Sequence, residues 1–200
     1  MIISSSDIRK VNKSELAVWF EQMSDERKQA VSQMKVEHKR NLRIAADALC
    51  RKAISDFCEI SPSEIIFEYT QTGKPFAKDL PVHFNVSHSG DMVVCAVSDC
   101  EIGIDVEKIR NINPRAAEKF ATDSEKDYIS KNKNGFFEIW TLKEAYFKCI
   151  GTGLGADIKD VSFEIKENKI LCSENGFEFS FIDTNEDYVC SICRRIKNAP

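Results

Sequence analysis

Two carboxylates stand two residues apart in Ile102-Gly-Ile-Asp-Val-Glu-Lys108, and they are the first chemical signal in the chain. Ile102, Ile104 and Val106 alternate with Gly103, Asp105 and Glu107. Period two is the pattern of a half-buried strand, and Ile and Val are good strand residues. Read so, the strand turns Asp105 and Glu107 to the same open face. On an ordinary strand such a pair simply faces water. Side by side, however, two carboxylates repel unless a proton or cation relieves them. A hard divalent cation that takes oxygen ligands, such as Mg2+, suits the pair. Gly103 beside them leaves room for another group to approach the backbone.

Lys143, Glu144 and Lys148 interrupt an apolar helical pattern over 136–150. Glu144 and Lys148 are four apart and share a face, so they can form a plain surface pair. Alternatively, Glu144 joins Asp105 and Glu107 as a third carboxylate, and Lys148 is delivered beside the cation. Three acidic ligands with lysines nearby suit a substrate whose phosphates bridge a metal. Ser87 and His88 end a predicted strand and add donors for phosphate oxygens. They are not nucleophile and base for one another, because adjacent strand residues point opposite ways.

The elements that position these residues follow from periodicity. Helices are predicted near 14–23, from a Ser24 cap through 34, and over 37–57, where Ala45, Ala46, Leu49, Ala53 and Ile54 lie among the apolar positions. That last helix also carries Lys39, Arg40, Arg43 and Arg51, either a solvated face or a surface for phosphate. Strands are predicted at 65–69, 82–87, 92–98 and 102–107, and Thr72-Gly-Lys-Pro75 reads as a turn. Met1–Ser6 is a short strand or a loose end. Segments 92–98 and 102–107 are expected to pair as an antiparallel hairpin. Short helices follow near 114–121 and 123–131, the second with a capping box at Thr122 and Glu125. After the 136–150 helix, strands are expected at 161–166, 169–173, 177–182 and 187–195, with turns at Asn168 and at Asn175-Gly176.

The 200 residues suffice for one large domain or two small ones. A net charge of -4 gives no reason to propose nucleic acid or an anionic membrane as partner. No segment approaches the ~20 apolar residues of a membrane span. The first thirty residues lack a secretory apolar run, so a cytoplasmic protein is expected. Its eight cysteines are then expected to be reduced, small hydrophobes. Cys190-Ser-Ile-Cys193 is the one C-x-x-C, but residues three apart on a strand face opposite ways, which is unsuited to chelation.

Taken in order, Gly73-Lys-Pro75, Phe84-Asn-Val-Ser-His-Ser89, Gly103-Ile-Asp-Val-Glu107, Trp140-Thr-Leu-Lys-Glu-Ala-Tyr-Phe-Lys148 and Gly151-x-Gly153 resemble the 4'-phosphopantetheinyl transferases, most closely the surfactin-synthetase-activating type. The resemblance covers roughly residues 24–165. It implies an α+β fold of two similar α/β lobes, antiparallel sheets packed on helices with pseudo-twofold symmetry. The lobes would span 1–103 and 104–200, with one active site between them in a monomer. It implies transfer of 4'-phosphopantetheine from coenzyme A to a serine of an apo acyl or peptidyl carrier protein, leaving adenosine 3',5'-bisphosphate. By motif position, Asp105, Glu107 and Glu144 correspond to the Mg2+ ligands. Glu144 is also the candidate general base, and Lys148 neutralises phosphate charge. Ser87 and His88 would contact the coenzyme's phosphates, His88 the 3'-phosphate. Lys74 and Pro75 would border the adenine, and Arg27 and Arg43 fall near further 3'-phosphate positions. The competing reading is a non-catalytic module that binds coenzyme A or a carrier protein.

Overall fold

A computed structural model describes residues 1–153, 155–167 and 169–197. The expected turn at Asn168 lies outside the described residues. The chain divides into two compact units, Met1–Asp99 and Cys100–Pro200. Both are α+β, each with an antiparallel sheet of three strands and one long helix laid on it. Among the described residues, no helix is long and apolar enough to cross a membrane.

In the first unit, strand β1 (Ile2–Asp7) precedes helices α1 (Lys13–Glu21), α2 (Asp25–Ser32) and α3 (Glu37–Cys58). Asn12 and Ser24 cap the first two through their side chains, as residues with short polar side chains do. Strands β2 (Phe67–Tyr69), β3 (Pro75–Ala77), β4 (His83–Ser89) and β5 (Met92–Ser98) follow. β5 is the middle strand of β1-β5-β4, and all seven of its residues are buried. Met1–Ser6 is thus largely an ordered edge strand. α3 covers the sheet with Cys50, Ala53 and Ile54 against Cys95, Val97 and Phe84. The small alanines of α3 allow that close approach. β3 is absent from the sequence reading, which saw only a turn there; three residues beginning with a proline give little periodicity to read.

The expected hairpin of 92–98 with 102–107 does not form. β5 already has β1 on one edge and β4 on the other. Strand β6 (Ile102–Lys108) instead pairs with β10 (Tyr188–Arg195) in the second unit. The alternating pattern identified both strands but carried no information about their partners.

Between β6 and β10 lie a 3-10 turn (Pro114–Lys119), helices α4 (Asp123–Lys131) and α5 (Gly135–Ile150), and strands β7 (Phe163–Lys166), β8 (Lys169–Cys172) and β9 (Phe177–Phe181). The sheet order is β6-β10-β9, and β7 and β8 form a separate hairpin. α5 packs on β10 and carries a core of Ile139, Leu142, Ala145 and Cys149 against Phe163 and Cys193. Gly151, at φ 76°, ends the helix in the left-handed conformation that glycine adopts without strain. Thr141 donates to the Phe137 carbonyl at 2.8 Å, and its hydroxyl lies 2.6 Å from that of Ser191 on β10. The cysteines stay as thiols, six of them buried. Cys190 and Cys193 lie opposite Val106 and Gly103, which face opposite ways, so they are no chelating pair.

The second unit is locked by Lys143. Its side chain has 0% exposure, as does that of Glu125 on α4, and the two are 3.0 Å apart. The ammonium also donates to the carbonyls of Ile158 at 3.0 Å and Val161 at 2.6 Å. Glu125 in turn accepts from the amides of Thr122 and Phe163 at 2.7 and 2.9 Å. Every polar hydrogen of the buried ammonium has an acceptor, which is the condition for tolerating a charge in the core. The lysine beside Glu144 therefore serves the fold. Lys143→Met is expected to destabilise the chain by about 3–5 kcal/mol, because it strands the Glu125 charge in the core. Urea unfolding reads this as a lower midpoint, and adding Glu125→Gln should recover part of it. An unchanged midpoint in the single variant would contradict the assignment.

Candidate active site

In the second unit, β6 and α5 bring Asp105, Glu107, Glu144 and Lys148 together. Asp105 is buried, at 4% exposure. α5 therefore covers the face that the sequence reading left open. Ile102, Ile104 and Val106 on the other face are also buried. A carboxylate cannot be left in such surroundings without a partner. Lys148 supplies one, its Nζ donating to Asp105 Oδ1 at 2.6 Å. The lysine thus reaches from the helix to the strand and is no simple surface partner of Glu144. At the end of the strand, Glu107 accepts from Arg110 at 2.8 Å. This pairing of Arg110 with Glu107 was not foreseen, although their spacing of three residues is a visible signal.

Glu144 is half-buried on α5. Burial, then the negative charges of Asp105 and Glu107, push its carboxyl from 4.5 up to about 7, while Lys148 pulls the other way. Glu144 therefore feels both strand carboxylates, Asp105 more than Glu107, on top of its burial. Among the described residues, no group of three or more His, Cys, Asp or Glu side chains is gathered closely enough to enclose a metal ion. Two of the carboxylates are paired with cationic side chains instead, Asp105 with Lys148 and Glu107 with Arg110. The donor set still fits a hard divalent ion, being carboxylate oxygen throughout, with crowded negative charge.

The first unit holds the other candidates. Ser87 and His88 are neighbours on β4, one buried and the other exposed, as strand alternation requires. Lys74 and Pro75 are half-buried at the turn into β3. That turn is held by the Lys74 amide, which donates to the Thr70 hydroxyl at 3.1 Å. Arg43 is exposed on α3. Arg27 pairs with Asp47 at 2.7 Å and meets the Tyr69 hydroxyl. Asp47 is itself buried at 2% exposure and pairs with Arg51 at 2.7 Å. The sequence reading passed over Asp47; a lone acid within Ala45-Ala-Asp-Ala-Leu49 was the available clue.

The fold and this cluster define a class: an α+β protein with an acidic, lysine-flanked site suited to a phosphate-bearing ligand. The chain belongs to the 4'-phosphopantetheinyl transferase superfamily, whose model matches residues 101–193, while a 4'-phosphopantetheinyl transferase N-terminal model matches 10–100. Its relatives include the 4'-phosphopantetheinyl transferase gsp of Aneurinibacillus migulanus, 37% identical over 75% of this chain and 67% of that one. A 4'-phosphopantetheinyl transferase of Bacillus subtilis is 33% identical over 75% of this chain and 72% of its own. The psf-1 transferase of Bacillus pumilus is 35% identical over 62% of this chain and 56% of its own, so the match spans little more than half of that relative.

The carboxyl of Glu144 gives a stability signature. With its pKa near 7 in the folded chain and 4.5 ordinarily, losing the proton is harder folded than unfolded. Stability is then lost as pH rises through about 7. Glu144→Gln is neutral at every pH. Without added metal, it is expected to match the parent below about pH 4 and to be the more stable above about pH 8, as read by thermal unfolding. A difference that does not grow with pH would contradict the raised carboxyl.

Proposed function

We propose that the chain transfers 4'-phosphopantetheine from coenzyme A to a serine hydroxyl of an apo acyl or peptidyl carrier protein. The serine oxygen bonds to the phosphorus bearing the pantetheine arm, and the bond from that phosphorus to the adenosine 3',5'-bisphosphate breaks. The observation that carries this reading is the Asp105–Lys148 pair at 2.6 Å beside a carboxyl pushed up to about 7. Reactions of this kind need little from a protein beyond alignment and charge stabilisation.

Asp105, Glu107 and Glu144 would hold Mg2+, which supplies polarisation of the phosphorus centre and charge relief at the leaving phosphate. Lys148, released from Asp105, neutralises phosphate oxygens. Glu144, half-buried in the field of Asp105 and Lys148, is placed among the charged groups of the site, which supports it as the base that accepts the serine's proton. In the first unit, His88 and Arg43 are exposed and suited to the 3'-phosphate. Arg27, held by Asp47, adds positive charge for the same phosphate. Ser87 is a further phosphate donor, and Lys74 and Pro75 border the adenine. The 1–103 and 104–200 segments act as one catalytic unit, in a cytoplasmic monomer. For the carrier, Arg110, Arg115 and Lys119 are exposed cations directly after β6, suited to an acidic partner.

The test is the mass of an apo carrier protein after incubation with the chain, coenzyme A and Mg2+. A phosphopantetheine adduct is expected, and it is expected to disappear with Asp105→Ala. Binding of coenzyme A without any adduct on several carriers would favour a non-catalytic module. His88 is read separately, by comparing coenzyme A with dephospho-coenzyme A. A charge-assisted hydrogen bond contributes about 1.5–3 kcal/mol, so His88→Ala is expected to weaken use of coenzyme A roughly ten- to hundredfold and to spare the dephospho form. Equal losses on both would remove His88 from the 3'-phosphate.

A further inference from the structure

Gly103 lies on β6 two residues before Asp105, on the same face of the strand. A Cβ placed on it would come 2.0 Å from the Ala145 carbonyl oxygen and 2.4 Å from the Cys149 amide nitrogen. It would also come 3.0 Å from the Cys149 Cα. All three are backbone atoms of α5. In an α-helix that oxygen and that nitrogen are the two ends of one i to i+4 hydrogen bond. The bare glycine therefore sits directly on a peptide hydrogen bond of the helix. No rotamer change can make room, since no side chain is in the way.

The two contacted residues, Ala145 and Cys149, immediately follow Glu144 and Lys148. The point where strand and helix touch thus adjoins Glu144 and Lys148 on the helix and lies two residues from Asp105 on the strand. We infer that Gly103 is a positioning residue for the proposed transfer: its missing side chain sets the helix–strand distance that brings Glu144 and Lys148 to Asp105. This rests on the proposed reaction for its catalytic readout but not for its metal-binding readout. Any side chain at 103 must lift α5 by roughly 1.5 Å to restore ordinary contact. The helix moves as a rigid element, so Glu144 and Lys148 move with it while Asp105 and Glu107 stay on the strand.

The test compares Gly103→Ala with Thr141→Val. The second variant loses the buried hydroxyl contact to Ser191 across the same helix–sheet interface but adds nothing between β6 and α5. Each is measured by thermal unfolding, by electron paramagnetic resonance of Mn2+ binding in the presence of coenzyme A, and by kcat on an apo carrier. Gly103→Ala is expected to stay folded, to weaken Mn2+ roughly tenfold or more and to lower kcat about a hundredfold. Thr141→Val is expected to lose stability and to keep Mn2+ affinity and kcat within about twofold. If the parent binds Mn2+ but transfers nothing, the reaction fails while the metal readout still decides the role of Gly103. The inference is overturned if Gly103→Ala binds Mn2+ as the parent does, if both variants lose affinity in proportion to their lost stability, or if Gly103→Ala does not fold. In that last case the glycine serves the fold and not the site.

Discussion

A helix lies on a strand only as closely as the side chains between them permit, and at Gly103 there is none. That contact carries the rest of the second unit. It buries Asp105 and so obliges the chain to provide a cation for it. It puts Lys148 within reach of that carboxylate and Glu144 within its field. It also brings Thr141 onto Ser191 of the neighbouring strand, a polar tie in an otherwise apolar interface. A buried hydroxyl pair of this sort contributes only about 1 kcal/mol net.

The chain uses the same chemistry, lysine against carboxylate, for two opposite purposes. Lys143 and Glu125 have no exposed surface and a full set of acceptors and donors. Breaking that pair leaves a buried charge without its counter-ion. Lys148 and Asp105 are different, because the lysine side chain keeps 27% exposure. Water and a competing ligand can reach it, so the pair is exchangeable. A step of five positions along one helix thus separates a lysine committed to the core from one that water reaches.

Much of this was legible beforehand. The alternation of Ile102 to Glu107 gave the strand, and the spacing of Glu144 and Lys148 gave their shared face. The motif order gave the family. Caps at Ser24 and Thr122 were visible because they depend on neighbours a few residues away. What escaped was non-local. Strand partners of 92–98 and 102–108 depend on sheet edges that lie far away in sequence, and periodicity says nothing of them. Lys143 looked like its neighbour Lys148 because a lysine's burial is set by Glu125 and by the carbonyls of Ile158 and Val161, none adjacent to it. Gly103 was recognised as leaving room, but the occupant, the backbone of α5, required the fold.

The buried cysteines bear on how the chain coexists with its substrate. Burial pushes the Cys172 thiol up to about 11 and the Cys190 thiol up to about 12, and raises Cys58 and Cys193; the Cys50 thiol is raised by its hydrogen bond with Cys95 and then by burial. Disulfide exchange proceeds through the thiolate, and access sets its rate as much as thiolate fraction does. Coenzyme A ends in a thiol, which can form mixed disulfides. Thiols raised in this way supply few thiolates to attack such a disulfide. Covalent capping by a sulfur-tipped ligand would then be slow at these positions, so a cysteine-rich chain is compatible with such a cargo.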